Sequence, residues 1–402
     1  MAAVTPTTES ELRALIAAAE EGGTALVTEG SATKRHFGPA ASPAAQRLSL
    51  RALSRVTAHE VADMILSVEA GARLQDVQAL LAAHDQWLPL DPPFVGAGAT
   101  IGGILATNAS GPRRLGYGTS KDHLLGLRVM GAHGRVTKSG GRVVKNVSGY
   151  DLHRPQVGAF GTLGVLLEAH FKVAARPEVS ALWALPCATL DAAHGALLEI
   201  GSGALRPVAL EALDGAEAAL VRARARALPG ADSQAVALVG VEGSAATFSR
   251  HARDLASFAT RGVAAAVVLE RPESGPLWET LSDLPAAHGA DLRVRVGTRP
   301  HDLPAVLAAL ELERAPLRGV SVHVGVGLAH VSLAPADVTG LVERWRRLTS
   351  ARGGYAVVES APLDWAGRAR LPFGAEPAAA LGAALRRAWD PHETLNPGRM
   401  AP

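Results

Sequence analysis

The sequence predicts an α+β protein of more than one domain, and three observations point there. The chain has 402 residues, more than a single hydrophobic core ordinarily serves. Apolar residues make up 48% of it and charged residues 19%, the balance of a folded chain. Past Arg176-Pro177-Glu178 the glycine clusters of the first part give way to alternating strand and helix patterns. That texture predicts an antiparallel sheet with helices on one face.

The elements follow in order. Residues 8–22 set Leu12, Leu15 and Ile16 on one helical face, with Ser10 as N-cap and Gly22 and Gly23 as the stop. TALVT at 24–28 reads as a short strand running into the loop EGSATKRHFG. RLSLRAL and MILSVEAG read as strands, with helix signals around 58–62 between them, and 73–84 reads as a helix. Residues 123–138 read as a hairpin turning at Gly131 to Gly134, and GTLGVLLEAHFKV at 161–173 as a further strand. In the second part, strands are expected at 179–185, 206–211, 235–241, 263–269, 291–297, 318–324 and 354–359. Helices are expected at 189–200, 244–258, 301–311 and 336–349, and a last one at 377–389 before DPHETLNPGRMAP.

Composition excludes several classes of function. A net charge of +2 supplies no basic field for nucleic acid. Arg222, Arg224 and Arg226 read as a solvated face. With Cys187 as the one cysteine, the chain alone builds no disulfide, iron–sulfur cluster or cysteine-based zinc site. The N-terminus lacks a basic start and carries Glu9, Glu11, Glu20 and Glu21, so it reads as a capped helix and not a signal peptide. A cytoplasmic location is the default.

Residues 92–112, PPFVGAGATIGGILATNASGP, hold no charge and five glycines. A membrane span would need about 18 or more apolar residues, and three prolines with Asn108, Ser110 and two threonines interrupt this run. Two readings stay open, a plain loop or a place where bare backbone approaches a phosphate. A dinucleotide fingerprint fails because Ile101 stands at its third glycine. A phosphate-binding loop of the G-x-x-x-x-G-K type fails because Ile104 and Leu105 stand where Lys and Ser/Thr are needed.

The stretch has company. GSATK at 30–34, GATIGGILATNASGPRR at 98–114, KNVSGYDL at 145–152, GAFGTLGV at 158–165 and LNPGR at 395–399 occur in that order. Together they resemble the PCMH-type FAD-binding oxidoreductases of the vanillyl-alcohol oxidase family, and within it the FAD-binding subunits of bacterial glycolate oxidases. The resemblance implies an FAD-binding domain of two α+β subdomains over 1–175, an α+β cap domain over 176–370, and a C-terminal segment, 371–402, returning to the flavin. It implies that Gly30, Ser31, Ala32, Thr33 and Lys34, with Thr100, Ile101, Gly102 and Gly103, hold the pyrophosphate. On that reading Gly102 and Gly103 expose N–H groups, and Thr33 and Thr100 add hydroxyls. Asn108 and Ser110 would serve the flavin or its ribityl chain, beside Gly111. Gly149, Asp151, Gly161, Gly164 and Val165 would lie near the adenosine half. Ser31 and Ala32 stand where relatives are often richer in glycine. His36 lies outside the position of covalent attachment, so noncovalent FAD is expected and His36 reads as a packing histidine.

For the substrate side, relatives that oxidise 2-hydroxy acids carry H-x-G-D-G-N-x-H, whose histidines bind a divalent metal. SVHVGVGLAH at 321–330 keeps His323 and His330, while Val326 and Leu328 replace the Asp and Asn; VVESAP offers Glu359. The pair reads as a relic of the motif, a substrate base or a metal site, and no tightly bound metal is expected. The strand DLRVRV puts Arg293 and Arg295 on one face, and Arg293 is the expected partner of a substrate carboxylate. Asn396 is expected near the flavin and Arg399 as its neutralising cation. The resemblance further implies partners, a larger FAD-binding subunit and an iron–sulfur subunit, with no transmembrane segment in this chain. Two classes of function remain open at this point: oxidation of a 2-hydroxy acid by this chain, within a complex or alone, or electron relay and scaffolding beside a catalytic relative.

Overall fold

The computed structural model describes residues 3–142, 150–225, 228, 235–259, 267–270, 274–289, 291–310, 315–335, 338–365 and 376–399. The chain divides into two compact units. The first comprises 1–110, 118–176 and 372–402, and the second 111–117 and 177–371. The C-terminal segment is therefore part of the first unit, and residues 111–117 are part of the second.

The first unit opens with the helix Glu9–Glu21. Its N-cap is Thr8, not Ser10: the Thr8 hydroxyl accepts the Glu11 N–H at 3.2 Å, and Glu9 and Glu11 place negative charge on the first turn. Leu12 and Ile16 bury one face of this helix against Leu26, Leu48, Val165 and Leu395. Strands β1 (Leu26–Glu29) and β2 (Gln46–Ser49) pair in parallel. Strands β3 (Val56–Glu60), β4 (Ile65–Glu69), β6 (Leu124–Met130), β7 (Val136–Gly140) and β8 (Val165–Lys172) form a sheet in the order β3-β4-β8-β6-β7. Every pairing in it is antiparallel. The short β5 (Gln86–Trp87) pairs with β9 (Ala174–Ala175).

The second unit is built on eight strands: β10 (Val179–Cys187), β11 (Ala209–Leu213), β12 (Ala235–Gly243), β13 (Val267–Leu269), β14 (Leu292–Gly297), β15 (Leu317–His323), β16 (Leu328–Leu333) and β17 (Tyr355–Ser360). Their order is β13-β10-β12-β11-β15-β16-β14-β17, antiparallel throughout. Helices cover both faces, not one. Leu213 packs with Val221 and Leu277 of the helices Gly215–Arg224 and Ser274–Ser282. Leu210, pointing the opposite way along β11, meets Gly201 of the helix Leu190–Ser202.

Residues 111–117 are tied into this sheet. The Gly116 N–H donates to Val208 O at 3.1 Å. Arg113 donates twice to Glu242 Oε1, at 3.0 and 2.8 Å, and its guanidinium lies 3.9 Å from the Trp278 ring centroid. Among the described residues no helix is long and apolar enough to cross a membrane.

Candidate functional site

Two groups of residues carry the expected chemistry, one in each unit. In the first unit, β1 ends at Glu29 and the chain turns at Gly30. A Cβ at Gly30 would overlap the Thr100 side chain, so glycine there lets the 30–34 loop close onto Thr100. Ala32 then takes φ +59°, a left-handed backbone that costs an alanine on the order of 1 kcal/mol. The backbone N–H groups of Ser31, Ala32 and Thr33 donate no hydrogen bond among the described residues, and neither does the Thr33 hydroxyl. Successive free N–H groups around a left-handed residue form a concave anion site. This loop fits a diphosphate by its own donors.

The second expected loop behaves differently. Thr100 caps the helix Ile101–Thr107 by accepting the Gly103 N–H at 3.3 Å. The Ile101 N–H goes to Ala72 O at 2.9 Å and the Gly102 N–H to Ala70 O at 2.7 Å. These donors are spent inside the protein, which corrects the expectation that Gly102 and Gly103 offer their N–H groups to a ligand. The glycine at 102 serves packing instead: a Cβ there would lie 2.9 Å from Ala70 Cβ. At Gly103 a Cβ would meet only Thr100 Oγ1, at 3.3 Å, and otherwise open space.

The remaining residues sort by geometry. Asn108 ends the helix in the left-handed conformation, φ +47°, and its side-chain Oδ1 accepts from the Ser120 hydroxyl at 3.4 Å. The Ser110 hydroxyl has no partner among the described residues. Gly111 belongs to the second unit. Lys34 is buried, its Nζ 5.6 Å from the Phe94 ring centroid. His36 packs edge-on against Phe37 and Phe94 at 5.0 and 5.4 Å. Asp151 is exposed and paired with Arg154 at 2.9 Å. Gly164 sits against Val129, and the Val165 side chain is in the core, leaving only its backbone for a ligand. Gly149 lies outside the described residues.

Asn396, φ +50° and 2% exposed, joins three segments. Its Nδ2 donates to Thr28 Oγ1 at 3.0 Å and Gly161 O at 2.9 Å, and its Oδ1 accepts the Thr28 N–H at 3.0 Å. The amide is fully engaged, so Asn396 acts as a latch on β1 and on the 158–164 loop. Arg399 donates to Arg35 O and Pro39 O at 3.2 and 2.9 Å and lies 5.0 Å over the Phe160 ring, anchoring the tail to the loop after β1.

The site in the second unit is made of side chains. Antiparallel register sets Glu211 of β11 opposite His323 of β15, Ser321 opposite His330 of β16, and His330 opposite Arg295 of β14. His323 Nδ1 lies 2.7 Å from Glu211 Oε2, and His330 Nδ1 lies 2.9 Å from Glu359 Oε2. The two imidazoles meet edge to face with centroids 5.1 Å apart. Burial raises the Glu211 carboxyl above its usual range, offset in part by His323 and Arg114. Burial, aided by the Arg293 charge and opposed by Glu359, holds His330 down at about 3. Burial opposes ionisation of Glu359, but His330, Arg295 and Arg293 together outweigh it and hold that carboxyl well below the usual range. Among the described residues no three His, Cys, Asp or Glu side chains gather as a metal-ligand set.

The arginines differ from expectation. Arg293 is 2% exposed, its Nε 3.4 Å from Glu359 and its Nη2 3.4 Å from Ser321 Oγ. It already serves a buried carboxylate and is not positioned for one arriving from solvent. Arg295, with its side chain 36% exposed and Nη1 3.6 Å from Glu359, is the accessible guanidinium. Glu211 was not anticipated; the available signal was a lone acid in the apolar strand VALEAL.

Comparison with known proteins gives two family matches. Residues 1–140 match the FAD binding domain family and residues 176–301 the C-terminal domain of FAD linked oxidases. The chain is 38% identical over 157 residues to the glycolate oxidase subunit GlcE of Escherichia coli K12; that stretch is 39% of this chain and 44% of the relative, under half of its length. It is 27% identical to the D-2-hydroxyglutarate dehydrogenase of Xanthomonas citri pv. viticola, over 100% of this chain and 89% of that one. Among solved structures, an alkyldihydroxyacetonephosphate synthase shares the fold with a TM-score of 0.70 at 18% identity, covering 98% of this chain and 76% of the other. The chain thus carries, in order, a match to an FAD binding domain and a match to the C-terminal domain of the FAD linked oxidases.

Proposed function

We propose that this chain is the FAD-carrying subunit of a glycolate-oxidase-type flavoprotein, taking part in oxidation of a 2-hydroxy acid, glycolate or D-lactate, to the 2-oxo acid. The observation that carries this reading is the pair of imidazole–carboxylate contacts beside Arg295, in a chain that also has the flavin loop. When bound, FAD supplies the acceptor for the hydride leaving the substrate carbon. The loop donors Ser31, Ala32 and Thr33 would hold its pyrophosphate without covalent attachment.

The chain's own residues account for the other requirements. His323 takes the hydroxyl proton, because Glu211 orients it through Nδ1 and stabilises the imidazolium that forms. His330, kept neutral by burial, positions the same oxygen. Arg295 holds the substrate carboxylate and Arg293 fixes Glu359 beneath it. Glu211, Glu359 and Arg295 complete a base and an anion clamp from five strands of one sheet.

Electrons then pass to partners, a larger FAD-binding subunit and an iron–sulfur subunit, since one cysteine supports no cluster in this chain. The complex would work in the cytoplasm, peripheral to the inner membrane. A self-sufficient dehydrogenase is the second reading, favoured by the match to D-2-hydroxyglutarate dehydrogenase over most of both chains. Anaerobic turnover with an artificial acceptor separates them. Activity appearing only on co-expression with both partners supports the subunit. Turnover by the isolated chain on the order of 1 s⁻¹ or more supports the self-sufficient enzyme.

A further inference from the structure

A third imidazole lies under the same sheet face. His288 is 5% exposed, its Nε2 3.1 Å from Glu217 Oε1 and its Nδ1 3.0 Å from Asp291 Oδ2. Glu217 comes from the helix Gly215–Arg224 and its carboxylate is fully buried. It reaches the sheet because β15 has glycine at 319, where a Cβ would stand 2.8 Å from Glu217 Cγ. Gly319 is opposite Ser332, and Ser332 is opposite Arg293. Register thus lines up buried polar residues along this face, from His330 and Glu359 by way of Arg293 and Ser332 toward Glu217 and His288. Arg293 Nη1 and Ser332 Oγ, both buried, make no hydrogen bond among the described residues. At its far end the track reaches solvent through Asp291 and Arg318, 3.9 Å apart, with the Arg318 side chain 57% exposed.

We infer that Glu217, His288 and Asp291 form a charge-compensating site for the hydroxy-acid site, at which His288 takes up a proton when an anion binds beside Arg295. The inference rests on the proposed function for the identity of that anion. Five charged groups face or support the imidazole. Glu217 stands on its helix, Asp291 on the loop of His288 itself, Arg293 on β14 and Arg318 on β15. Asp214, raised to about 6 by burial, caps the Glu217 N–H at 2.8 Å. Burial opposes the His288 imidazolium, but Glu217 and Asp291 outweigh it and raise its pKa, while Arg293 pulls it down. An anion bound beside Arg295 adds negative charge at that end of the track and offsets the Arg293 charge there. A proton then enters from solvent by the Asp291 edge, and one positive charge is added for the one negative charge bound. By linkage, the anion binds more tightly where His288 can protonate. His288 is a positioning and charge-balancing residue here; it does not touch the substrate.

The test is a histidine carbon-13 NMR titration of the FAD-loaded chain, with His288 assigned from a His288→Asn spectrum. Arg293→Gln should raise the His288 pKa and Glu359→Gln lower it, each by about half a unit or more. Arg250→Gln, exposed and near Asp254, should leave it unmoved. If Arg293→Gln does not fold, the sign in Glu359→Gln decides. Oxalate, glycolate or D-lactate added to the unsubstituted protein should raise it. No movement in either variant, or equal movement in the Arg250 control, overturns the inference. Movement in the variants without a response to any of the acids upholds the coupling and rejects the hydroxy-acid reading.

Discussion

The 30–34 loop of the first unit, proposed to hold the flavin's pyrophosphate, and the polar track of the second are built on opposite plans. The first is a backbone site. Its donors are the N–H groups of Ser31, Ala32 and Thr33, and its shape depends on unusual dihedrals at Ala32, Asn108, Gly161 and Asn396. The second is a side-chain site, in which ordinary strands bring Glu211, His323, His330, Arg293, Arg295 and Glu359 together by register. A backbone site fails when a turn is lost. A side-chain site fails when a buried charge loses its counter-ion.

The largest expected effect lies in the second unit. Arg293→Gln takes the buried guanidinium from Glu359, leaving it Arg295 at 3.6 Å and His330 at 2.9 Å, and should cost about 3–5 kcal/mol in chemical denaturation. Arg295→Gln, at a partly exposed position, should cost under about 1 kcal/mol and instead weaken binding of oxalate. Equal stability losses would erase the distinction between the two arginines.

Asn396→Ala should come next. It removes three hydrogen bonds and leaves the Thr28 N–H and Gly161 O without their partner, at about 2–4 kcal/mol, and flavin content should fall with it. A variant with full flavin and unchanged melting temperature would show that the latch is dispensable.

Gly103→Val sharpens the contrast. A side chain there enters open space beyond Thr100, so stability should change by about 1 kcal/mol or less, while FAD, if it occupies that space, is excluded. Full flavin in a folded variant would move the cofactor away from residue 103. The companion Gly102→Val should fail by misfolding, since Ala70 fills its space.

The smallest effect is in the acid limb of stability. The folded-state pKa of His330 is depressed, so the unfolded chain binds that proton more readily. Stability from this group is therefore lost as pH falls from the ordinary histidine value of about 6.5 toward 3. His330→Gln should flatten the decline in melting temperature between pH 6.5 and about 5, above the range where Glu359 protonates. An unchanged slope would mean that His330 is not held neutral.

These differences also set what could be read from the sequence. The strands 291–297, 318–324 and 354–359 were legible to within a residue of their observed bounds, whereas β16 was not expected and β3 stands where helix signals were read around 58–62. The unusual backbone at Asn108, Gly161 and Asn396 was legible because glycine and asparagine mark it locally. The destination of the N–H groups at 101–103 was not, since it depends on the chain folding back to Ala70 and Ala72. Glu211 was equally hidden: its role is set by pairing with a histidine far along the chain, and no local pattern encodes that register. Arg293 and Arg295 look alike in DLRVRV. Only the bulge between Arg293 and Val294 in the β14–β17 ladder and the cover of Glu359 separate a buried structural arginine from an accessible one.

The claim that both regions serve one reaction is tested most directly by anaerobic mixing of the FAD-loaded chain, co-expressed with the partner subunits proposed for it, with glycolate or D-lactate. The flavin absorbance should bleach in the unsubstituted protein, while His323→Gln and Arg295→Gln keep their full flavin and bleach at least about 100-fold more slowly. Bleaching at the unsubstituted rate in both variants would mean that the track in the second unit is not where the acid is oxidised, and that this chain carries electrons for a relative.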